Sequence, residues 1–267
     1  MTSSSPLGTA VITGASSGIG AVYADRLARR GHDLLLVARD KSRLAALADK
    51  LGSATGRSVR TLAADLTQPS GLLPVEDVLR NDPTVTLLVN NAGVGSAAPL
   101  LEADIERMAS LISLNVLALT RLTYAAAPAF ARRGAGTIIN IASIVAIAPE
   151  ILNGVYGGSK AYVLALTRSL QHELGSKGLR FQAVLPGATA TDFWDAAGLP
   201  VSNLPPEIVM PVADMVDAAL AGLDAGELVT IPSLPDAEDW SRFEAARAAL
   251  LPNLSRSKPA ARFFARP

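Results

Sequence analysis

The feature that most constrains this chain is a repeated alternation of short apolar runs with segments of helical spacing. The apolar runs include GTAVI, DLLLVA, TVTLLVN, GTIINIA and LRFQAVL. They are continuous, which is the pattern of strands buried on both faces of a sheet. Helical patterns separate them, the longest over residues 101 to 132 and Tyr156 to Leu174. This order predicts an α/β fold with a doubly wound parallel sheet and helices on both faces.

The same alternation runs without a composition break, so we expect a single domain over residues 1–267. The order weakens after about residue 190, where proline and small residues predict loops and short helices before a further helix and a last strand, ELVTIP. Residues from about 235 to 267 are predicted to form a C-terminal extension with one helix. Its aromatic residues are expected to pack on each other or at a subunit interface: Trp240, Phe243, Phe263 and Phe264.

Composition excludes several classes of function. Lys and Arg together number 24, as do Asp and Glu, and no long block of like charge occurs, so neither a nucleic-acid surface nor an anionic-membrane anchor is expected. The chain has no cysteine and only His32 and His172, so thiolate chemistry is excluded and a metal site is not expected. The segment MTSSSPLGTA lacks the basic and apolar regions of a secretory signal. No stretch of the sequence reaches the roughly 20 apolar residues that a membrane span needs, so we expect a cytoplasmic protein.

Three glycines lie between the first predicted strand and the first predicted helix. Gly14, Gly18 and Gly20 occur in TGASSGIG, where backbone amides at a helix N-terminus approach a pyrophosphate without obstruction by side chains. The sequence context of strand before and helix after favours a dinucleotide site. A purely structural turn is the alternative.

The end of the second predicted strand bears on the choice of nicotinamide cofactor. An acid at this position accepts from the ribose 2′-hydroxyl of NAD, whereas a cation pairs with the 2′-phosphate of NADP. This chain has Ala38 followed by Arg39, whose guanidinium forms forked contacts with phosphate. We therefore predict NADPH as the cofactor; the alternative is that Arg39 is a solvated surface side chain near Asp40.

Tyr156 and Lys160 lie one helical turn apart, and this spacing predicts that they are the groups that transfer a proton to the substrate. With no cysteine and scarce histidine, Tyr156 is the expected proton donor for carbonyl reduction, provided that the pKa of its phenol is lowered. A cation one turn away, Lys160, is expected to lower it. Ser143 follows a strand 13 residues earlier and is expected to reach the same cleft and hydrogen-bond the substrate oxygen. Gly157 and Gly158 cost helix propensity, which indicates a close backbone or ligand, tight packing or neutral drift.

Four motifs in order resemble the short-chain dehydrogenase/reductase family. They are TGASSGIG, NNAG at 90 to 93, YGGSK at 156 to 160 and PGATAT at 186 to 191, and they cover roughly residues 7 to 195. The resemblance implies a Rossmann-type fold and hydride transfer between NADPH and a carbonyl or secondary alcohol of a small substrate. The apolar residues Val94, Ile144 and Val145 flank these motifs and predict a largely apolar substrate cavity. The resemblance also implies a segment at about 190–215 that covers the substrate, beginning with Phe193 and Trp194, and assembly into homodimers or homotetramers.

The resemblance further assigns site residues. Asn115 resembles an asparagine that holds a water in a proton relay, although a satisfied polar core residue is the alternative. Asp65 resembles an adenine contact, and the alternative is that it caps a helix or a turn. Asn90 is compatible with a wholly structural role. The catalytic set implied is Asn115, Ser143, Tyr156 and Lys160. Tyr156 and Lys160 also belong to the predicted cofactor contacts, together with Gly14, Ser16, Ser17, Gly18, Ile19, Gly20, Arg39, Asp65, Leu66, Asn91, Ala92, Gly93, Pro186, Gly187, Thr189 and Thr191.

Two other functions are compatible with parts of the sequence. GGSKA around Ser159 faintly resembles the nucleophile elbow of serine hydrolases, but no apolar strand leads into it and the final glycine is replaced by Ala161. A non-catalytic NADP-binding sensor or scaffold on the same fold is the second, because a fold does not prove turnover. The presence of all four residues of the implied catalytic set favours an oxidoreductase over either alternative.

Overall fold

The alternation predicted from the sequence appears as a parallel sheet. The computed structural model describes residues 7–264. Within them, the strands are β1 (Thr9–Thr13), β2 (Asp33–Ala38), β3 (Val59–Ala63), β4 (Val85–Asn90), β5 (Gly136–Ile141), β6 (Leu179–Val184) and β7 (Val229–Thr230). All neighbours pair in parallel, in the order β3-β2-β1-β4-β5-β6-β7. The order reverses between β1 and β4, which opens a ligand cleft at their carboxyl ends.

Helices cover both faces of the sheet. In the described part of the chain the helices are α1 (Gly18–Arg29), α2 (Lys41–Thr55), α3 (Pro69–Asn81), α4 (Ile105–Ile112), α5 (Leu119–Arg133), α6 (Gly154–Leu174), α7 (Phe193–Ala197) and α8 (Val212–Asp224), with short 3-10 turns between some of them. A further helix, α9 (Ala237–Ala249), belongs to the C-terminal segment and is described separately below. A π-helical turn, Ser113–Ala118, joins α4 to α5. The predicted fold class is therefore confirmed.

Successive strand residues enter two different apolar layers. On one face, Ile12 and Leu36 pack with α1 and α8; on the other, Val11 and Val37 pack with α3, α5 and α6. This period of two buries both faces of the central strands and explains why their sequences are continuously apolar. Burial on both faces also fixes the register of the strands, and so the positions of the loops that follow them.

Two elements differ from the sequence-based expectations. The last strand comprises only Val229–Thr230, because only two residues pair with β6. The helix expected over 101 to 132 begins at Ile105 and is divided by the π-helical turn, which a search for a 3.6-residue period does not detect. The segment considered as a signal sequence lies largely in residues 1–6, outside the described residues.

The helical run from Ile105 to Arg133 also bears on membrane association. Among the described residues, it is the one helix long and apolar enough to cross a membrane by length and composition, and 44% of its most apolar window is buried within the fold. Leu111, Leu122 and Phe130 are each almost completely buried. Burial of this kind is what a core helix of an α/β layer requires, so the run is weak evidence for a membrane span.

The chain divides into two compact units after Pro232. In the second unit, α9 has no buried residue, and Trp240 stacks on Phe243 with ring centroids 5.1 Å apart. Phe263 and Phe264 are exposed. The extent predicted for a single domain, for the covering segment at about 190–215 and for the extension from about 235 stays a prediction.

Candidate active site

The glycine loop is shaped by close backbone contacts. Gly14 has a φ of 65°, and a Cβ on Gly20 would lie 2.4 Å from the Gly14 carbonyl oxygen, so no larger residue fits at position 20 without a shift. Asn91 fixes the loop from β4: its Nδ2 donates to the carbonyl oxygens of Thr13 at 2.8 Å and Gly14 at 3.2 Å. The loop lines a cleft of about 670 Å³. The loop therefore lines the cleft with backbone at Gly14 and Gly18 and with the residues Ser16, Ser17 and Ile19.

Two arginines follow β2 and lie beside the same cleft. Arg39 is exposed and lines the cleft, as does Arg43 in the first turn of α2. Asp40 accepts from the amides of Ser42 and Arg43 and so caps α2. Arg43 also lies 3.5 Å from the Asp40 carboxylate, whereas Arg39 has no ion pair within the described residues. Arg43 was missed from the sequence; its signal is a second cation four residues after Arg39.

Asp65 and Leu66 follow β3 and line the cleft. The Oδ1 of Asp65 accepts from the Thr67 amide at 3.0 Å and the Thr67 hydroxyl at 2.8 Å, which is the turn-capping geometry raised as an alternative. These bonds hold the pKa of Asp65 below its usual value, and the positive charge of Arg39 adds to the effect. Asp65 therefore has a structural role, and its contact with adenine stays a prediction.

Ser143 and Tyr156 meet on the inner wall of the cleft. Ser143 follows β5 and caps a short 3-10 turn, and Tyr156 lies in the first turn of α6, 5% exposed. Burial raises the pKa of Tyr156 to about 12, and a hydrogen bond with the Ser143 side chain acts in the opposite direction without cancelling this effect. The expected lowering of this pKa is therefore wrong for this structure, because desolvation of the phenolate outweighs the neighbouring polar groups.

Lys160 lies one turn after Tyr156 and points to the end of β5. Its Nζ donates to the Ile141 carbonyl oxygen at 2.8 Å and lies 5.9 Å from the Tyr156 ring centroid. Burial lowers the pKa of Lys160 to about 8. The two groups are thus brought together as predicted, but each is held in a dry environment that disfavours its charged form.

Asn115 lies in the π-helical turn and is 1% exposed. Its side chain exchanges two hydrogen bonds with the backbone of Val94, at 3.0 and 2.8 Å, and also donates to the Ser159 hydroxyl at 3.2 Å. Ser159 in turn donates to the Tyr156 carbonyl oxygen at 2.7 Å. The carboxamide is therefore a satisfied buried group, and its part in a proton relay stays a prediction. Ser159 is buried within α6, which opposes its use as a hydrolytic nucleophile.

The remaining predicted residues also lie along the cleft. Its lining includes Ser16, Ser17, Gly18, Ile19, Ala92, Gly93, Pro186, Gly187, Thr189 and Thr191. Two predicted site residues lie outside the lining: Gly20, which supports the loop from behind, and Asn115, which is buried behind Val94. Asn90 is buried beneath the site and donates to Thr123 and Asn140, the structural role considered for it. Gly157 packs against Pro149, whereas a Cβ on Gly158 would meet open space.

The cleft is apolar around Tyr156. Val94, Leu152 and Phe193 pack in one cluster with the Tyr156 ring, and further lining comes from Ile151, Trp194, Leu199, Leu204 and Ile208. The charged lining residues are Arg39, Asp40, Arg43, Asp65, Lys160 and Asp192. Four of these six follow β2 or β3, so one end of the cleft is charged and the other largely apolar. No group of three or more metal-ligating side chains occurs among the residues described.

Comparison with known proteins agrees with this geometry. A family model described as short chain dehydrogenase matches residues 8–199. An uncharacterized oxidoreductase of Staphylococcus epidermidis is 30% identical over 210 residues, which cover 75% of this chain and 88% of that protein.

Two solved structures match nearly the whole chain. A short-chain dehydrogenase from Sphingobium yanoikuyae in complex with NADPH has a TM-score of 0.92 and 49% identity, covering 95% of this chain and 98% of that one. The bulky-bulky ketone specific alcohol dehydrogenase from Comamonas testosteroni has a TM-score of 0.90 and 45% identity, covering 98% and 100%. Both similarities extend beyond the part of the chain that the family model covers.

Proposed function

Because the chain belongs to the short-chain dehydrogenase/reductase family, we propose that it reduces the carbonyl of an apolar ketone with NADPH, or oxidises the corresponding secondary alcohol with NADP. The observation that carries the proposal is the meeting of Ser143, Tyr156 and Lys160 at the apolar end of a cleft whose other end carries Arg39 and Arg43. The NADPH complex and the ketone specificity in the names of the two similar structures support it.

The cleft fits a dinucleotide with a 2′-phosphate. The glycine loop lines the cleft at the start of α1, where the backbone amides of a helix N-terminus favour an anionic group such as a pyrophosphate. Arg39 is a cation without an ion pair among the described residues and lies close enough to Asp65 for its charge to act there. Arg39 and Arg43 would hold the phosphate, the loop from Gly14 to Gly20 the pyrophosphate, and Thr189 and Thr191 the carboxamide.

Each residue around the substrate carbonyl has a separate role in the reaction. When bound, the nicotinamide supplies or accepts the hydride. In reduction, Tyr156 donates its phenolic proton to the carbonyl oxygen while the Ser143 hydroxyl orients that oxygen by a hydrogen bond. Lys160 stabilises the phenolate that remains, and a proton returns to it from solvent. Hydride and proton together convert the carbonyl to the alcohol; in oxidation, the phenolate acts as the base.

The proposed reaction is tested with purified protein, both reduced cofactors and a panel of aryl alkyl ketones. We expect ketone-dependent oxidation of NADPH and much slower oxidation of NADH. Tight NADPH binding without turnover of any ketone would contradict the enzyme and favour the sensor or scaffold.

Arg39→Ala is expected to weaken NADPH binding on the order of 10–100-fold, because a charge-assisted bond to phosphate contributes about 1.5–3 kcal/mol. NADH binding should change little. Nicotinamide fluorescence titrations measure both affinities. Arg132→Ala, an exposed arginine near the end of α5, is the control. Equal losses for the two cofactors would show that Arg39 does not read the phosphate.

We also propose a homodimer or homotetramer formed through α4, α5 and α6. The exposed apolar side chains of this region are Ile105, Ile112, Leu117, Tyr124 and Tyr162. An apolar surface of this kind is a usual subunit interface. Sedimentation equilibrium giving the mass of one 27.6-kDa chain would contradict the proposal. A cytoplasmic location stays a prediction.

A further inference from the structure

Gly95 and Phe193 make a very close contact across the apolar end of the cleft. A Cβ built on Gly95 would lie 2.3 Å from the Phe193 Cζ and about 3 Å from both Cε atoms. Real side chains do not approach so closely, so either the ring or an added methyl group occupies this place, but not both. The absence of a side chain at position 95 is what allows the phenyl ring to lie here.

The ring of Phe193 stands beside the proposed proton donor. Its centroid is 5.9 Å from that of Tyr156, with the planes tilted by 46°, and 5.6 Å from that of Trp194 in an edge-on arrangement. Val145 and Leu111 belong to the same apolar cluster. Phe193 also lines the cleft, so one part of it packs on protein and another faces the space around Tyr156.

The short helix that carries Phe193 is fixed along its length. Trp194 Nε1 donates to the Thr189 carbonyl oxygen at 2.9 Å. At the other end, the amide of Ala97 donates to the Ala197 carbonyl oxygen at 3.0 Å, and the Arg107 guanidinium donates to the carbonyl oxygen of Ala196. Contacts with three other segments of the chain therefore fix the position of this helix, which makes the Phe193 ring a defined wall of the cleft.

We propose that Phe193, seated on Gly95, determines substrate specificity by limiting the size of the ketone substituent that lies beside Tyr156. The inference rests on the proposed function. The ring is apolar and fixed, so it favours a small apolar substituent on this side and excludes a longer one by overlap. The other substituent would extend along the wall formed by Ile151, Leu204 and Ile208.

The test measures kcat/KM with NADPH for phenyl ketones whose alkyl chain is lengthened from methyl to pentyl. Phe193→Ala is expected to raise the ratio of long-chain to short-chain kcat/KM by about 10-fold or more, since one methylene in an apolar pocket changes discrimination by about 10–200-fold. Phe193→Leu should give a smaller shift. Asp195→Ala, an exposed position on the same helix, should keep the wild-type ratio.

Gly95→Ala completes a double-mutant cycle. Alone, Gly95→Ala should displace the Phe193 ring and lower kcat/KM for short ketones about 10-fold. In the Phe193→Ala background the same change should alter kcat/KM by less than about 3-fold, because the phenyl ring that the added methyl group would overlap is absent. NADPH affinity and thermal melting show that each variant is folded. Unchanged size ranking in Phe193→Ala and Phe193→Leu, with turnover intact, would overturn the inference. Failure of the wild type to reduce every ketone would instead overturn the proposed function on which it rests.

Discussion

Tyr156→Phe is expected to lower kcat for ketone reduction on the order of 10²–10⁴-fold, the range that a positioned proton donor contributes. The change removes one oxygen and keeps the ring, so the packing against Phe193 persists. NADPH binding should remain within a few-fold of wild type. Because burial holds the pKa of Tyr156 near 12, the phenol of the wild type is protonated across neutral pH and is ready to donate.

Steady-state NADPH oxidation and a fluorescence titration separate these two effects. Tyr162→Phe is the matched control, since it removes the same atom from the same helix at a partly exposed position where the hydroxyl bonds Thr120. It should retain wild-type turnover. A Tyr156→Phe variant within about 5-fold of wild type would show that the proton comes from another group.

Lys160→Met is expected to abolish most turnover and, at pH 7, to raise the free energy of unfolding by about 1–3 kcal/mol. The gain arises because Lys160 is buried with a pKa lowered to about 8, so its charge costs free energy in the folded state. The variant also loses the hydrogen bond from Nζ to the Ile141 carbonyl oxygen, and this loss offsets about 1 kcal/mol of the gain in stability.

The effect on stability has a defined dependence on pH. The folded pKa lies below the unfolded value, so between about pH 8 and 10.5 the unfolded chain binds more protons and wild-type stability gains from rising pH. The difference between Lys160→Met and wild type should therefore be largest below pH 8 and shrink towards pH 10. Urea unfolding at both pH values measures it, with exposed Lys177→Met as the control. A variant less stable than wild type at pH 7 would contradict this account of Lys160.

The parts of the site that were predictable from the sequence are local. The glycine loop joins one strand to the next helix, and Tyr156 and Lys160 are separated by one helical turn, so spacing alone places them. The continuous apolar strands likewise predicted the parallel sheet, because burial on both faces leaves no alternation. These features depend on contacts between neighbours in the chain.

Some features formed by residues distant in sequence were not predicted. Gly95 and Phe193 are 98 positions apart and meet only once the fold is complete. The direction of the Tyr156 pKa shift was wrong because desolvation depends on everything packed around the phenol, whereas the sequence reveals only the neighbouring cation. The two bonds of Asn115 to Val94 similarly depend on a π-helical turn that its apolar surroundings do not signal.

The most direct test of the central claim follows a single hydride. Purified protein is incubated with NADPH carrying deuterium at C4 of the nicotinamide, in each of the two stereochemical forms, and with an aryl alkyl ketone. We expect that one of the two forms gives an alcohol with one deuterium on the carbinol carbon, of a single configuration. An alcohol without deuterium from either form, or no alcohol while NADPH is bound, would contradict hydride transfer in this cleft.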